Sequence, residues 1–95
     1  MFAVTVTFRI KPESLSAFLP LMQGNARTSV EDEPGCQLFD ICHTPGETTV
    51  FLYEIYDNKA AFDAHLASAH FKSFDAATAQ MIDTKDVRVF EKVIR

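Results

Sequence analysis

Two histidines five residues apart, His65 and His70, are the side chains best suited to chemistry in this chain. Imidazole has an ordinary pKa near 6.5, so it takes up or releases a proton close to neutrality. Both lie among Phe62, Phe71 and Phe74, within the stretch Tyr53–Phe74. On an unbroken helix, five residues turn the two rings roughly 140° apart. Ser68 between them reads as a break and a new N-cap, which lets both approach one cavity. A metal site is not expected: there is no i, i+4 histidine pair, no H-E-x-x-H, and only two evident ligands. Glu54 is the next candidate, because it interrupts an apolar run. A carboxylate there must be paired, solvated or shifted in pKa. Arg9 and Arg88 are candidate partners from neighbouring strands. Asn25, beside Gly24, carries an amide able to orient a ligand carbonyl or hydroxyl. Tyr53, Tyr56, Phe39, Phe51, Phe71 and Phe74 either fill the core or line a pocket for a planar ligand.

The elements that position these groups follow from hydrophobic period. Residues 2–10 alternate, with Phe2, Val4, Val6, Phe8 and Ile10 on one side, and predict a half-buried strand. Pro12 and Glu13 open a helix carrying Leu15, Phe18, Leu19, Met22 and Ala26 to about Val30, with a kink expected at Pro20. Glu31-Asp32-Glu33-Pro34-Gly35 reads as a solvated turn. Residues 36–43 predict a second strand, with Phe39 and Ile41 on one face and Cys36, Leu38 and Cys42 on the other. Thr44–Glu47 is a hairpin connection. Residues 48–56 predict a third strand, apolar on both faces, with helices over one and a second subunit over the other. Asp57 or Asn58 caps a helix that breaks at Ser68, and a second piece runs over about 69–82. Residues 83–86 are a turn and 87–94 a last strand. The order β-α-β-β-α-β predicts a ferredoxin-like α+β fold, helices on one face of an antiparallel sheet.

Ninety-five residues make one domain, 1–95, of marginal size for a monomer. Nine Phe and 47% hydrophobic residues are more than so short a chain hides easily, so a homodimer is expected. A net charge of −4 argues against nucleic acid. No apolar run approaches the roughly 20 residues that cross a bilayer, so no membrane partner is expected. The start of the chain alternates like a strand rather than a leader, which makes the cytoplasm the default location. Cys36 and Cys42, both expected to be buried, stand roughly 20 Å apart along one strand, too far for a disulfide. Phosphate loops, dinucleotide fingerprints and a serine elbow are absent, and no flavin, nicotinamide or other cofactor is expected.

These residues together resemble the antibiotic biosynthesis monooxygenase family. The matching features are N-x3-S-x3-E-P-G-C-x2-F-D over Asn25–Asp40, Y-E-x-Y-D over Tyr53–Asp57, and A-F-D-A-H-L-x-S-x-H-F over Ala61–Phe71. The likeness implies a homodimer whose sheets pack as a dimeric α+β barrel, each subunit holding a cavity between sheet and helices. Family members include cofactor-free oxygenases of quinols and aromatic phenols, haem-degrading enzymes, and isomerases of a phosphorylated quorum-signal dione. The A-H-L-x-S-x-H run is similar to the quinol monooxygenase and isomerase branches, which implies His65 and His70 as pocket residues. Asn25 and Glu54 match positions shared with the isomerase branch. That branch has Tyr where Phe71 stands. The haem-degrading branch has Trp where His65 stands and its haem-ligating His near Asp75, so haem degradation is disfavoured.

Three functional expectations result. The first is a cofactor-independent monooxygenase of a small quinol or phenol, using O2. His65 is the base, His70 and Asn25 position the oxygen substituents, and the hollow is large enough for a flat molecule. Another is an isomerase of a small hydroxy-dione, with Glu54 or His65 moving a proton beside a carbonyl. The last is a non-catalytic dimer that binds an aromatic ligand.

Overall fold

The computed structural model describes residues 1–95. Strands β1 (Phe2–Ile10), β2 (Cys36–His43), β3 (Thr49–Tyr56) and β4 (Ile82–Phe90) form one antiparallel sheet in the order β2-β3-β1-β4. Helices α1 (Leu15–Asp32), α2 (Lys59–Ala67) and α3 (Ala69–Thr78) complete the ferredoxin-like α+β plan. The core joins the inward residues of β1 (Phe2, Val4, Val6, Phe8 and Ile10) to Phe18, Met22 and Ala26 of α1 and Phe74 of α3. Phe8 meets Phe18 edge-on at 5.2 Å, and Phe18 meets Phe74 at 5.9 Å.

Pro12 opens a single 3-10 turn, Pro12–Ser14, that leads into α1. The helix runs through Pro20 to Asp32, past the expected end at Val30. Asn58 caps α2 by accepting from the Ala61 N–H at 2.9 Å. The expected break falls at Ser68, which ends α2 and caps α3 with extended backbone (φ −70°, ψ 151°). Its hydroxyl accepts from the Phe71 N–H at 3.2 Å and donates to the His65 carbonyl at 2.6 Å. One side chain therefore fixes the angle between the two histidine-bearing helices.

Two expectations are corrected. The last strand covers Ile82–Phe90, not 87–94, so the predicted turn at 83–86 lies inside it. β4 is an edge strand, and edge strands carry charge; Asp83, Lys85 and Asp86 hid its period. Cys36 and Cys42 do not share a face: Cys36 is buried and Cys42 exposed. A register shift between Cys36 and Leu38 changes the phase of β2, so that Cys36 joins Phe39 on the core side. The sheet face away from the helices is only partly covered, with Tyr53 38% and Phe90 49% exposed.

Gly35 allows α2 to lie against the start of β2. A Cβ there would stand 2.5 Å from the Ala61 Cβ. Gly35→Ala should therefore push α2 outward and lower stability by about 1–3 kcal/mol, read as a lower urea midpoint at unchanged slope.

Candidate active site at the junction of three helical ends

Helix α1 carries a polar stripe on its inner side. Asn25 and Ser29 lie one turn apart and are 6% and 0% exposed. Glu33 follows at the next four-residue step, where the chain leaves α1 with extended backbone (φ −97°, ψ 111°). Its side chain is mostly buried rather than solvated as the turn composition suggested, and it reaches the seam between α2 and α3. There one oxygen, Oε2, lies 2.8 Å from His65 Nδ1 and 2.6 Å from His70 Nε2. Ser29 Oγ lies 3.3 Å and 3.2 Å from the same two nitrogens.

Proton bookkeeping sets the tautomers. The Ser29 hydroxyl donates to the Asn25 carbonyl at 2.8 Å, so toward the rings it can only accept. Glu33 as a carboxylate also only accepts. His65 Nδ1 and His70 Nε2 are therefore the protonated nitrogens. His65 Nε2 is left with its lone pair and no hydrogen-bond partner in the chain. A carboxylate holding one imidazole nitrogen leaves the other oriented and basic, the arrangement of a general base.

His65 is 2% exposed. It packs against Phe71, Tyr56, Phe39 and Phe62, with ring centroids 5.1, 5.6, 5.9 and 6.4 Å away. Burial in this setting lowers its pKa. The hydrogen bond and the charge of Glu33 pull the other way, and His70 adds to the lowering. The ring is thus neutral near pH 7.

Glu54 occupies the middle of β3, 3% exposed on the core side. The Tyr56 hydroxyl donates to its Oε1 at 2.6 Å. Neither Arg9 nor Arg88 reaches it: Arg88 pairs with Asp86 at 3.2 Å. Burial raises Glu54 to a pKa of about 7, against the smaller lowering effects of the Tyr56 hydrogen bond and Lys85. Burial likewise pushes the Tyr56 hydroxyl far up, so that it serves only as a donor.

Between these walls is a hollow lined by His65, Glu54, Asn25, Phe39, Phe71 and Phe74, with Val4, Val6, Leu66, Lys85 and Val87 among its other neighbours. Its volume is about 60 Å³. That is room for one or two waters, whereas a benzene-binding cavity is about 150 Å³. The expected hollow exists but is too small as it stands for a flat organic molecule. His70 does not line it. The break at Ser68 turns His70 to a groove of about 250 Å³ between α1 and α3, shared with Asn25, Thr28 and Ser73. His70 lines this groove rather than the hollow, with its Nε2 2.6 Å from Glu33 Oε2. Glu33 and Ser29 are the site residues that sequence reasoning passed over. The spacing of Asn25, Ser29 and Glu33 was the available signal, since steps of four place all three on one helical face.

The raised Glu54 value has a sign that can be tested. A carboxyl that binds its proton more tightly when folded stabilises the fold at low pH, and this stability is lost as pH rises through about 7. Glu54→Gln keeps an acceptor for Tyr56. Its unfolding free energy, from urea titration, should approach that of the parent near pH 5 and exceed it near pH 8, by on the order of 3 kcal/mol. A difference independent of pH would contradict the buried, raised carboxyl.

No curated protein matches the chain. Among solved structures it is similar to a candidate antibiotic biosynthesis monooxygenase from Nitrosomonas europaea (TM-score 0.91, 24% identity, covering 99% of this chain and 100% of that one). Rv0793 from Mycobacterium tuberculosis gives a TM-score of 0.89 at 23% identity, over 99% and 96% of the two chains. A candidate monooxygenase of the same kind from Caulobacter crescentus gives 0.90 at 20%, over 98% and 90%. At these identities the likeness concerns the fold. The family pattern of antibiotic biosynthesis monooxygenases matches residues 1–77, which span the helical stripe, Glu54, His65 and His70, and the chain belongs to that family.

Proposed function

We propose that this chain, as one domain, is a cofactor-independent monooxygenase that oxidises a small quinol or aromatic phenol with O2. The observation that carries the reading is the orientation of His65. Its Nδ1 is held by Glu33 at 2.8 Å, and its unpartnered Nε2 belongs to a ring lining an apolar, aromatic hollow. His65 Nε2 takes the phenolic proton, and the Glu33 carboxylate stabilises the imidazolium formed. The electron-rich phenolate passes one electron to O2, and the radical pair recombines to form a C–O bond. The resulting peroxide loses water, leaving a new carbonyl; one oxygen atom is inserted and the other leaves as water. Asn25 Oδ1, buried without a partner, accepts from a second substrate hydroxyl. Phe39, Phe71 and Phe74 flank the ring and exclude water. His70 acts through Glu33. Opening the hollow requires the outer wall, Leu66, Phe71 and Val87, to move aside.

A second reading, proton transfer in a small hydroxy-dione, is favoured by Glu54, which near neutrality is ready either to give or to accept a proton. Lys85 is the one cation lining the hollow, a weak match for a phosphorylated substrate.

Oxygen uptake with a reduced naphthoquinone tests the first reading. His65→Ala should lower turnover by roughly 10²–10⁴-fold. Glu33→Gln should lower kcat with little change in KM. Equal rates for His65→Ala and the parent would reject His65 as the base. Substrate-dependent exchange of carbon-bound hydrogen with solvent, followed by NMR without oxygen, would instead support the isomerase.

The partly open sheet face supports a homodimer closed sheet to sheet. Tyr53→Glu places a charge on that face and should convert the dimer to monomer at micromolar concentration, read by sedimentation.

A further inference from the structure

We propose that Glu33, His65 and His70 together form a binding site for a zinc-type divalent transition cation, distinct in use from the base chemistry above. The donor atoms come from three separate elements, yet lie within 4.8 Å of one another. Two imidazoles and one carboxylate are a set that zinc accepts with a fourth position left to water. Imidazole nitrogen also favours such ions over magnesium or calcium.

The hydrogen-bond inventory at this junction is short of protons. The hydroxyls of Ser29 and Ser68 are both spent on backbone carbonyls, of Asn25 and His65, so toward the rings they only accept. Ser68 Oγ stands 3.2 Å from His70 Nε2, beside Ser29 Oγ and Glu33 Oε2. Two ring N–H groups thus face three oxygen acceptors. The second carboxylate oxygen, Glu33 Oε1, is buried with no partner at all. A buried carboxylate so short of donors is costly, and a cation on Oε2 supplies the positive charge it lacks. Metal bonds of about 2.0–2.2 Å in a tetrahedron put ligand atoms roughly 3.4 Å apart. Glu33 Oε2 must therefore withdraw by less than about 1 Å from its present contacts. Glu33 stands beyond the last residue of α1 on extended backbone, so its side chain can swing without disturbing the helix. The groove between α1 and α3, where His70 is partly exposed, is the way in.

Binding has a defined chemical result. A cation on His65 Nδ1 and His70 Nε2 takes the lone pair at the nitrogen that now carries the proton. In the His65 ring the proton moves, by exchange with water, to the other nitrogen. His65 then presents an N–H to the hollow instead of a lone pair. The ion would silence the base without entering the cavity.

The test uses the full chain without a polyhistidine tag, Zn2+ alone and a competing chromogenic chelator, with no substrate present. It is therefore independent of the oxygenase reading. One equivalent should bind, and Glu33→Gln and His70→Ala should each weaken affinity by about 100-fold or more, beyond the 10–100-fold cost of losing a supporting residue. His43→Ala, at the remaining histidine, whose Nε2 lies 2.9 Å from the Glu47 carbonyl, serves as the control and should change nothing. Co2+ in place of zinc should give ligand-field absorption that His70→Ala abolishes. His70 is partly exposed, so that variant should fold as the parent by circular dichroism. Absence of binding, binding that survives both ligand substitutions, or binding that vanishes with His43→Ala overturns the site.

Discussion

A carboxylate buried where α1 ends and where α2 meets α3 is the constraint on which the arrangement depends. An ionised group taken from water costs several kcal/mol unless it is hydrogen-bonded. Glu33 meets that requirement through two imidazole N–H groups, at 2.8 and 2.6 Å, supplied by separate helices. The requirement runs both ways. His65 has lost water on nearly all sides and needs an acceptor at Nδ1; Glu33 needs donors from beyond its own helix. Ser68 makes the meeting possible, because its extended backbone interrupts what would otherwise be one helix with diverging histidines. Removing Glu33 takes the charged acceptor from the buried His65 ring, and such losses are more severe than the net worth of the bonds themselves.

Two polar groups with opposed shifts follow from the same burial. Desolvation disfavours charge, so it lowers an imidazole and raises a carboxyl. His65 is kept neutral, and Glu54 is brought to about 7. One wall of the hollow thus holds a ready acceptor and another a group that can donate or accept. Glu33, 21 positions earlier in the chain than Glu54, is faced by two N–H donors, where Glu54 has one hydroxyl, from Tyr56. Local donor count, and not residue type, separates the two carboxyls.

Much of the fold was legible because its signals are local. The alternation in β1, the Asn58 cap and the Ser68 break each depend on a few adjacent residues. β4 was misplaced because an edge strand shows little apolar period, and the face of Cys42 because a bulge shifts the phase inside β2. His65 and Glu54 could be singled out as polar residues set among apolar ones, and Asn25 by its amide beside Gly24. Glu33 could not be found that way. It follows two other acidic residues and precedes Pro-Gly, a composition that ordinarily means a solvated turn, and its partners lie 32 and 37 positions later. Only the four-residue steps from Asn25 through Ser29 pointed inward. His70 lines a different groove from His65, since spacing alone does not say which of two faces a short second helix presents.

The small volume of the hollow has a physical counterpart in how its walls are built. Its polar groups sit on the most buried residues, Asn25, Glu54 and His65, at 6%, 3% and 2% exposure. Its outer wall is apolar and loosely covered: Leu66 is 39% and Val87 47% exposed. Enlarging the space from about 60 Å³ to the 150 Å³ that suits one aromatic ring costs on the order of 2 kcal/mol at roughly 24 cal/mol per Å³. Burial of a single ring returns about 1.5–3 kcal/mol. The two are nearly matched, so an aromatic ligand can open the outer wall at little net cost, while the groups that hold protons stay fixed. Water gains less from the same opening, because it brings no apolar surface to bury. The small hollow and the proposed aromatic ligand are therefore compatible through one division, between a buried polar wall and a partly exposed apolar one.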